Sequence, residues 1–425
     1  MRHDRKIRRR VPGTVMLALA ILLVPGPRSG ASGADRSKAG GTGKLAKYDT
    51  RYYIIHSDLD IDTVREAAAR MTAMAETYNE RTKGFAGQIR DKLPFYLFGN
   101  VLGYHHAGGI PGSAGVFIRD EHGQRLMVIA SGARDEQIWQ TVQHEGFHQF
   151  AFNVITPRLP VWVNEGLAEY FGQGIWAGDG YVTGVILPPR LARVRRMIGS
   201  KRLLPFVKML TMSHDEWKGG LSGRNYDQAW SMVHFLVHAE DGKYRKAFGN
   251  YINDVARRKD AAKAFAARLG RDLDAFQEKY SEWWNGLPPD PTADLQTQAV
   301  VATLTSFVAR TKTARVKVET FEEFAAAARE GKIQVSGKRY PRLWLPQSLV
   351  QGSIEEAPAL GQWSLDTSRS WPELILKQSD GTVFRGSFTL ASKRAPKVTI
   401  QIDKPQPQSK PATDAPGDAE PSSGK

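Results

Sequence analysis

Apolar residues recur at helical spacing along residues 60–81, where Val64, Ala68, Met71, Met74 and Tyr78 share one face behind an Asp60 cap. Shorter apolar runs of strand length lie at residues 51–56, 93–98, 114–118 and 126–130. The pattern then turns helical. A helix through Thr141–Phe150 must stop near Pro157 and Pro160, and another begins around Val163. Helical pieces follow at 189–197 and 205–212, then a strongly apolar helix over 225–238 and further helices over 244–256 and 272–284. Gly286-Leu287-Pro288-Pro289-Asp290-Pro291 reads as a linker. Beyond it the pattern predicts a helix over 319–330 and strands at 343–345, 373–377 and 383–390. The last two strands join through Ser379-Asp380-Gly381 as a hairpin.

Strands grouped before the helices predict an α+β class. The plan is an export segment over 1–34, a flexible leader over 35–48, a main domain over 49–287, a small α+β accessory domain over 288–402 and a disordered tail over 403–425. The export reading rests on order. Six Arg and Lys residues stand among the first ten, an apolar run spans Val15–Val24, and small residues lead to Ser32-Gly33-Ala34. The apolar run is short for a membrane-spanning helix, so contact with a membrane is expected only if this segment stays uncleaved. The expected location is periplasmic or extracellular.

Much of the positive charge belongs to this segment. Residues 1–34 carry seven Lys or Arg and one Asp, and without them the net charge falls from +15 to +9. The remaining cations are scattered, which argues against a nucleic-acid partner. The exception is Arg190, Arg193, Arg195 and Arg196, which read as a solvated helix face. The chain has no cysteine, so it has no disulfide and no thiolate ligand. Any metal must sit on imidazole and carboxylate groups.

Such groups stand in one stretch, Gln143-His144-Glu145-Gly146-Phe147-His148. On a helix, His144 and His148 lie one turn apart on one face and can share a metal ion, with Glu145 beside the open position as base for a water. The competing reading is a surface helix with two incidental histidines. A catalytic zinc takes three protein ligands and keeps one position open. After a short loop, Val163-Asn164-Glu165-Gly166-Leu167-Ala168-Glu169 brings Glu165 within reach as third ligand. Glu169, four residues on, shares that face and can hydrogen-bond the outer nitrogen of a zinc histidine. Taken alone, both glutamates read equally well as solvated helix charges.

His-Glu-Gly-Phe-His-Gln-Phe followed by Trp-Val-Asn-Glu-Gly-Leu-Ala-Glu-Tyr-Phe resembles the gluzincin metallopeptidases, both the aminopeptidase N family and the bacterial peptidase-MA-like proteins. The resemblance is specific over about 30 residues and loose over 49–284. It implies a thermolysin-like catalytic domain, with a small sheet ahead of the active-site helix and mostly helices after it, and Glu165 as third ligand to Zn²⁺. Tyr226, in Tyr-Asp-Gln-Ala, is similar to a family tyrosine whose hydroxyl donates to the oxyanion; a packing tyrosine is the alternative. No Gly-Ala-Met-Glu-Asn segment is present, so recognition of a free amino terminus is not implied.

Other histidines weigh less. His105 and His106 sit in a Gly-rich loop, and His234 and His238 are four apart without a glutamate between them, which reads as core or support rather than a second metal site. Residues 112–117 read as an edge strand beside the cleft, able to hold an extended peptide or simply bulged at a glycine. The expected function is an exported zinc peptidase acting on peptide or protein substrates. Two alternatives stand beside it: a catalytically retired zinc-binding envelope scaffold, and a zinc amide hydrolase acting on cell-wall material.

Overall fold

The computed structural model describes residues 45–121, 123–130, 136–219, 223–339, 341–390 and 395–405. The expected export segment lies outside these residues, as do nearly all of the expected leader and tail. The leader's last residues are ordered, because β1 (Ala46–Asp49) pairs antiparallel with β2 (Tyr53–Ser57). The tail likewise starts later than expected, since Asp403 closes the last strand.

The chain is mixed α+β. After β2 comes α1 (Ile61–Thr82), whose first N–H groups at Asp62 and Thr63 donate to the Asp60 carboxylate. β3 (Leu93–Phe98), α2 (Val101–His106), β4 (Gly115–Asp120) and β5 (Gly123–Ile129) complete a sheet of order β1-β2-β3-β5-β4. The three inner strands run parallel and both edges antiparallel. Inner strands buried on both faces read as continuous apolar runs, which is how 93–98 and 126–130 stood out. The edge strand β4 faces α3 (Glu136–Phe150), which ends in a π-helical turn, Ala151–Ile155, ahead of Pro157.

α4 (Val161–Gly172) packs on α3 and more extensively on the later helix over residues 223–242. A short hairpin, β6 (Ile175–Trp176) and β7 (Tyr181–Val182), leads to α5 (Pro188–Gly199), α6 (Phe206–Thr211) and α7 (His214–Gly219). α8 (Gly223–Gly242) is helical up to Ala239, where Glu240 and Asp241 take left-handed backbone angles. α9 (Arg245–Ala256), α10 (Ala261–Leu269) and α11 (Leu273–Gly286) close this part. One apolar core joins α1, the sheet and these helices, with Trp139, Trp162, Trp230 and Trp284 fully enclosed.

After the proline-rich stretch, α12 (Ala293–Ala314) is buried over most of its circumference. It lies against a four-stranded antiparallel sheet of order β11-β10-β9-β8, formed by β8 (Gln362–Asp366), β9 (Glu373–Lys377), β10 (Val383–Thr389) and β11 (Lys397–Asp403). α13 (Phe321–Arg329) and α14 (Gln347–Leu360) complete its core. Gly381 takes φ +88° in the expected β9–β10 hairpin. Residues 343–345 form no strand; the Leu343 carbonyl instead accepts from the enclosed Arg310 guanidinium. That guanidinium also grips Asp179, between β6 and β7, through two 2.7 Å contacts. Ala73 of α1 and Trp176 of β6 belong to this second core, so the two parts pack on one another.

Candidate metal centre

α3 is buried from Ile138 to Phe150 apart from one half-buried turn residue, and that burial holds its chemistry in place. Tyr78 of α1 donates to the Gln143 carbonyl at 2.5 Å. Gly146 lets α1 approach, since a Cβ there would meet Met74 Cε at 2.8 Å. His144 and His148 project from the same face, with ring centroids 4.8 Å and Nε2 atoms 3.1 Å apart.

α4 supplies the third group. Gly166 lies directly against α8, where a Cβ would stand 2.5 Å from the Ala229 carbonyl oxygen. That contact sets how close α4 sits and so where Glu165 points. Glu165 Oε2 lies 3.5 Å from each histidine Nε2 and has no hydrogen-bond partner among the described residues. Among those residues, His144, His148 and Glu165 are a group whose donors converge as a metal site requires. Zinc bonds of about 2.0–2.1 Å place tetrahedral donors about 3.3 Å apart, which matches separations of 3.1, 3.5 and 3.5 Å. An otherwise orphaned buried carboxylate oxygen facing two imidazole nitrogens fits a divalent cation.

Glu145 is 1% exposed. Its Oε2 accepts the Phe117 backbone N–H at 2.9 Å, from the outer side of edge strand β4. Gly115 permits this approach, because a Cβ there would meet Thr141 Cγ2 at 2.9 Å. Residues 112–117 thus include the expected edge strand, though pairing starts only at Gly115. Burial raises the Glu145 pKa, and the neighbouring His148 and His144 only partly oppose it. Burial alone would lower the His144 pKa, but bonding to Glu165 and Glu169 outweighs it and the value stands well above the ordinary one. Burial would raise Glu165, yet the charge of His148 and the closeness of both imidazoles hold it far below the usual carboxylate range.

Glu169 lies behind the centre. Its Oε1 is 3.1 Å from His144 Nδ1, the nitrogen turned away from the converging donors. Its Oε2 meets Arg190 Nη2 at 2.7 Å. Against the cost of burial, Arg190 and then His144 bring its pKa down to about 2.

Tyr226 opens α8 and stacks edge-on against Trp217 at 5.2 Å. Its hydroxyl is buried with no hydrogen-bond partner among the described residues. Burial, followed by the charges of Glu165, Glu169 and Glu145, raises its pKa strongly, so the phenol stays protonated beside the cluster. His144, His148 and Glu165 thus converge with Glu145 and Glu169 adjoining them, and Tyr226 lies close enough for their charges to be felt.

The arginine reading is corrected in part: Arg196 is exposed as expected, but the others are engaged. Arg190 is 5% exposed, Arg193 grips Asp227 and Arg195 donates to the Trp284 carbonyl at the end of α11. A run of arginines reads as a wet face until the carboxylates it meets are known; Asp227, next to Tyr226, was the missing one. The Phe117 N–H was equally beyond sequence reasoning, although Gly115 marked a close approach. His234 is wholly enclosed by Trp230, Tyr170 and Trp284, and burial keeps it neutral. His238 Nε2 lies 3.0 Å from the Tyr170 hydroxyl, away from the converging donors.

No helix among the described residues is long and apolar enough to cross a membrane. No curated protein and no solved structure matches this chain. Residues 138–262, from within α3 to within α10, match the model of a family described as "Protein of unknown function (DUF1570)", a segment that takes in His144, Glu145, His148, Glu165, Glu169 and Tyr226.

Proposed function

We propose that this protein is an exported zinc metallopeptidase with a thermolysin-like, gluzincin-type catalytic domain, hydrolysing peptide or protein substrates. The observation that carries the reading is the convergence of His144 Nε2, His148 Nε2 and Glu165 Oε2, with the Glu145 carboxylate on the neighbouring residue. When bound, zinc supplies Lewis acidity that polarises a scissile carbonyl and brings the pKa of water towards about 7. His144, His148 and Glu165 hold it, and Glu169 orients His144 through Nδ1.

Glu145 accepts a proton from the attacking water and returns it to the leaving amine as the C–N bond breaks. Phe117 N–H fixes one carboxylate oxygen and so orients the other. The Tyr226 hydroxyl, protonated and without a partner, donates to the oxyanion as it forms.

The test is zinc analysis of the purified protein together with digestion of a mixed peptide library. One zinc per chain with cleavage of peptides is the expected result. Zinc without cleavage favours the retired scaffold, and cleavage confined to wall-derived amides favours the amide hydrolase. Equal zinc content in wild type and His148→Ala overturns the ligand assignment.

A further inference from the structure

Behind the metal centre runs a chain of charges of which the proposed chemistry uses only the first, Glu169. Arg190, from α5, reaches two carboxylates at once: Nη2 meets Glu169 Oε2 at 2.7 Å, and Nε meets Asp227 Oδ1 at 2.9 Å. Its guanidinium lies over the Trp230 ring at 4.2 Å, which fixes the plane of the fork. Arg193 closes the far end, with Nε 2.7 Å from Asp227 Oδ2 and Nη2 3.1 Å from Oδ1. Glu169, Arg190 and Asp227 are each less than an eighth exposed at the side chain, whereas Arg193 is half exposed.

Each carboxylate adjoins a different part of the site. Glu169 backs His144 on α4, and Asp227 directly follows Tyr226 at the start of α8. A lysine ammonium is a point charge on a flexible stem, while the guanidinium presents divergent donors in one rigid plane and can bridge two separate carboxylates. A buried charge network of this kind often adds little stability over well-packed apolar residues, so stability alone gives a weak reason for it. What it does provide is a fixed relation between two groups on different helices.

We infer that Arg190 is a positioning residue that couples the orientation of His144 to the placement of Tyr226, acting through Glu169 on one side and Asp227 on the other. This inference rests on the zinc reading given above. It predicts that the outer shell, although it touches no metal donor except through Glu169, governs how tightly zinc is held. Outer-shell partners of metal ligands are worth 10- to 100-fold in affinity where they have been removed, by general experience of such sites (about 10–100-fold).

The experiment is a zinc titration of metal-stripped full-length protein against a chromophoric zinc chelator. Wild type is compared with Arg190→Lys and Asp227→Asn, each well below its own melting temperature. Arg190→Lys keeps the charge but cannot span both carboxylates, and the expected result is a roughly 10- to 100-fold weaker zinc affinity. Asp227→Asn keeps the shape, is separated from His144 by two other side chains, and is expected to weaken zinc by about threefold or more. A purely structural role lowers the melting temperature and leaves the affinity of the folded protein alone. Affinities within twofold of wild type in both variants overturn the inference while the zinc reading stands. Should Arg190→Lys fail to fold, Asp227→Asn decides by itself on the same criterion. A wild type that binds no zinc removes the zinc reading and the inference together.

Discussion

The backbone N–H of Phe117 donates to the Glu145 carboxylate across 2.9 Å, so the edge strand of the sheet holds the side chain expected to act as base. Among the standard residues, only proline at position 117 removes this backbone donor. Positioning of Glu145 is thereby tied to the seating of β4 on α3, where Gly115 leaves no room for a Cβ. The two halves of this contact can be separated experimentally.

Glu145→Gln retains size and still accepts the Phe117 N–H, but it cannot take a proton. The variant is expected to keep its zinc and to hydrolyse a verified substrate at least about 100-fold more slowly, the low end for loss of a general base. Metal content and single-turnover rates measured side by side check this. Hydrolysis at the wild-type rate would remove Glu145 from the role.

Tyr226→Phe removes one hydroxyl that has no ground-state partner among the described residues, so folding stability is expected to change by less than about 1 kcal/mol. If the hydroxyl serves the oxyanion, kcat and kcat/KM fall together by about 100- to 1,000-fold with zinc unaffected. A rise in KM alone would point to substrate binding. Unchanged kinetics would leave Tyr226 as a packing residue.

Gly166→Ala places a methyl carbon where the Ala229 carbonyl oxygen stands 2.5 Å away. Backbone cannot yield as a flexible side chain does, so α4 must shift from α8. The expected cost is about 1–3 kcal/mol, read as a lower urea midpoint, with weaker zinc binding because Glu165 moves with the helix. A stable variant that holds zinc as wild type does would show that the α4–α8 distance does not set the site.

His238 supplies a pH dependence. Burial, with the charges of Arg245 and Arg81, lowers its pKa to about 4, while Tyr170 and the neutral His234 face it from α4 and from its own helix. The unfolded chain binds this proton at about 6.5, so between about pH 4 and 6.5 the unfolded state carries more protons and stability must fall as pH falls. His238→Gln, which can still meet the Tyr170 hydroxyl, is expected to flatten the urea midpoint over that range in metal-free protein. A midpoint that declines just as steeply in the variant would assign the acid sensitivity elsewhere.

The helices bearing the candidate site were legible because two independent regularities coincide there. Pro157 and Pro160 placed the end of α3 and the start of α4, and His144, Glu145, His148 and Glu165 carried spacings that a metal site requires. Elsewhere Asp60 marked the start of α1 by capping its N–H groups and Gly381 marked the β9–β10 turn by its left-handed backbone. Other features lacked such marks. α12, rich in Thr, Val and Ala and buried nearly all round, has no polar face to give it a period. The edge strands β8 and β11 do carry a period of two, Trp363 and Leu365 in one and Val398, Ile400 and Ile402 in the other, so that signal was present in the sequence and only α12 lacked one. Arg190 looked solvated because its partners, Glu169 and Asp227, lie 21 residues before it and 37 after it. Contacts of that kind belong to the packing and leave no local pattern.

The enclosed Arg310–Asp179 pair also has a consequence for the order in which the chain is made. Its two members are 131 residues apart, and both side chains are almost wholly shielded from water. On the ribosome, Asp179 emerges long before its cation, and an unpaired carboxylate resists being shut away from solvent. The β6–β7 hairpin therefore stays open to water during synthesis, although α3 and α4 are already complete. A chain truncated before α12 should be cut by protease at residues 177–181, and the full-length protein should resist cutting there.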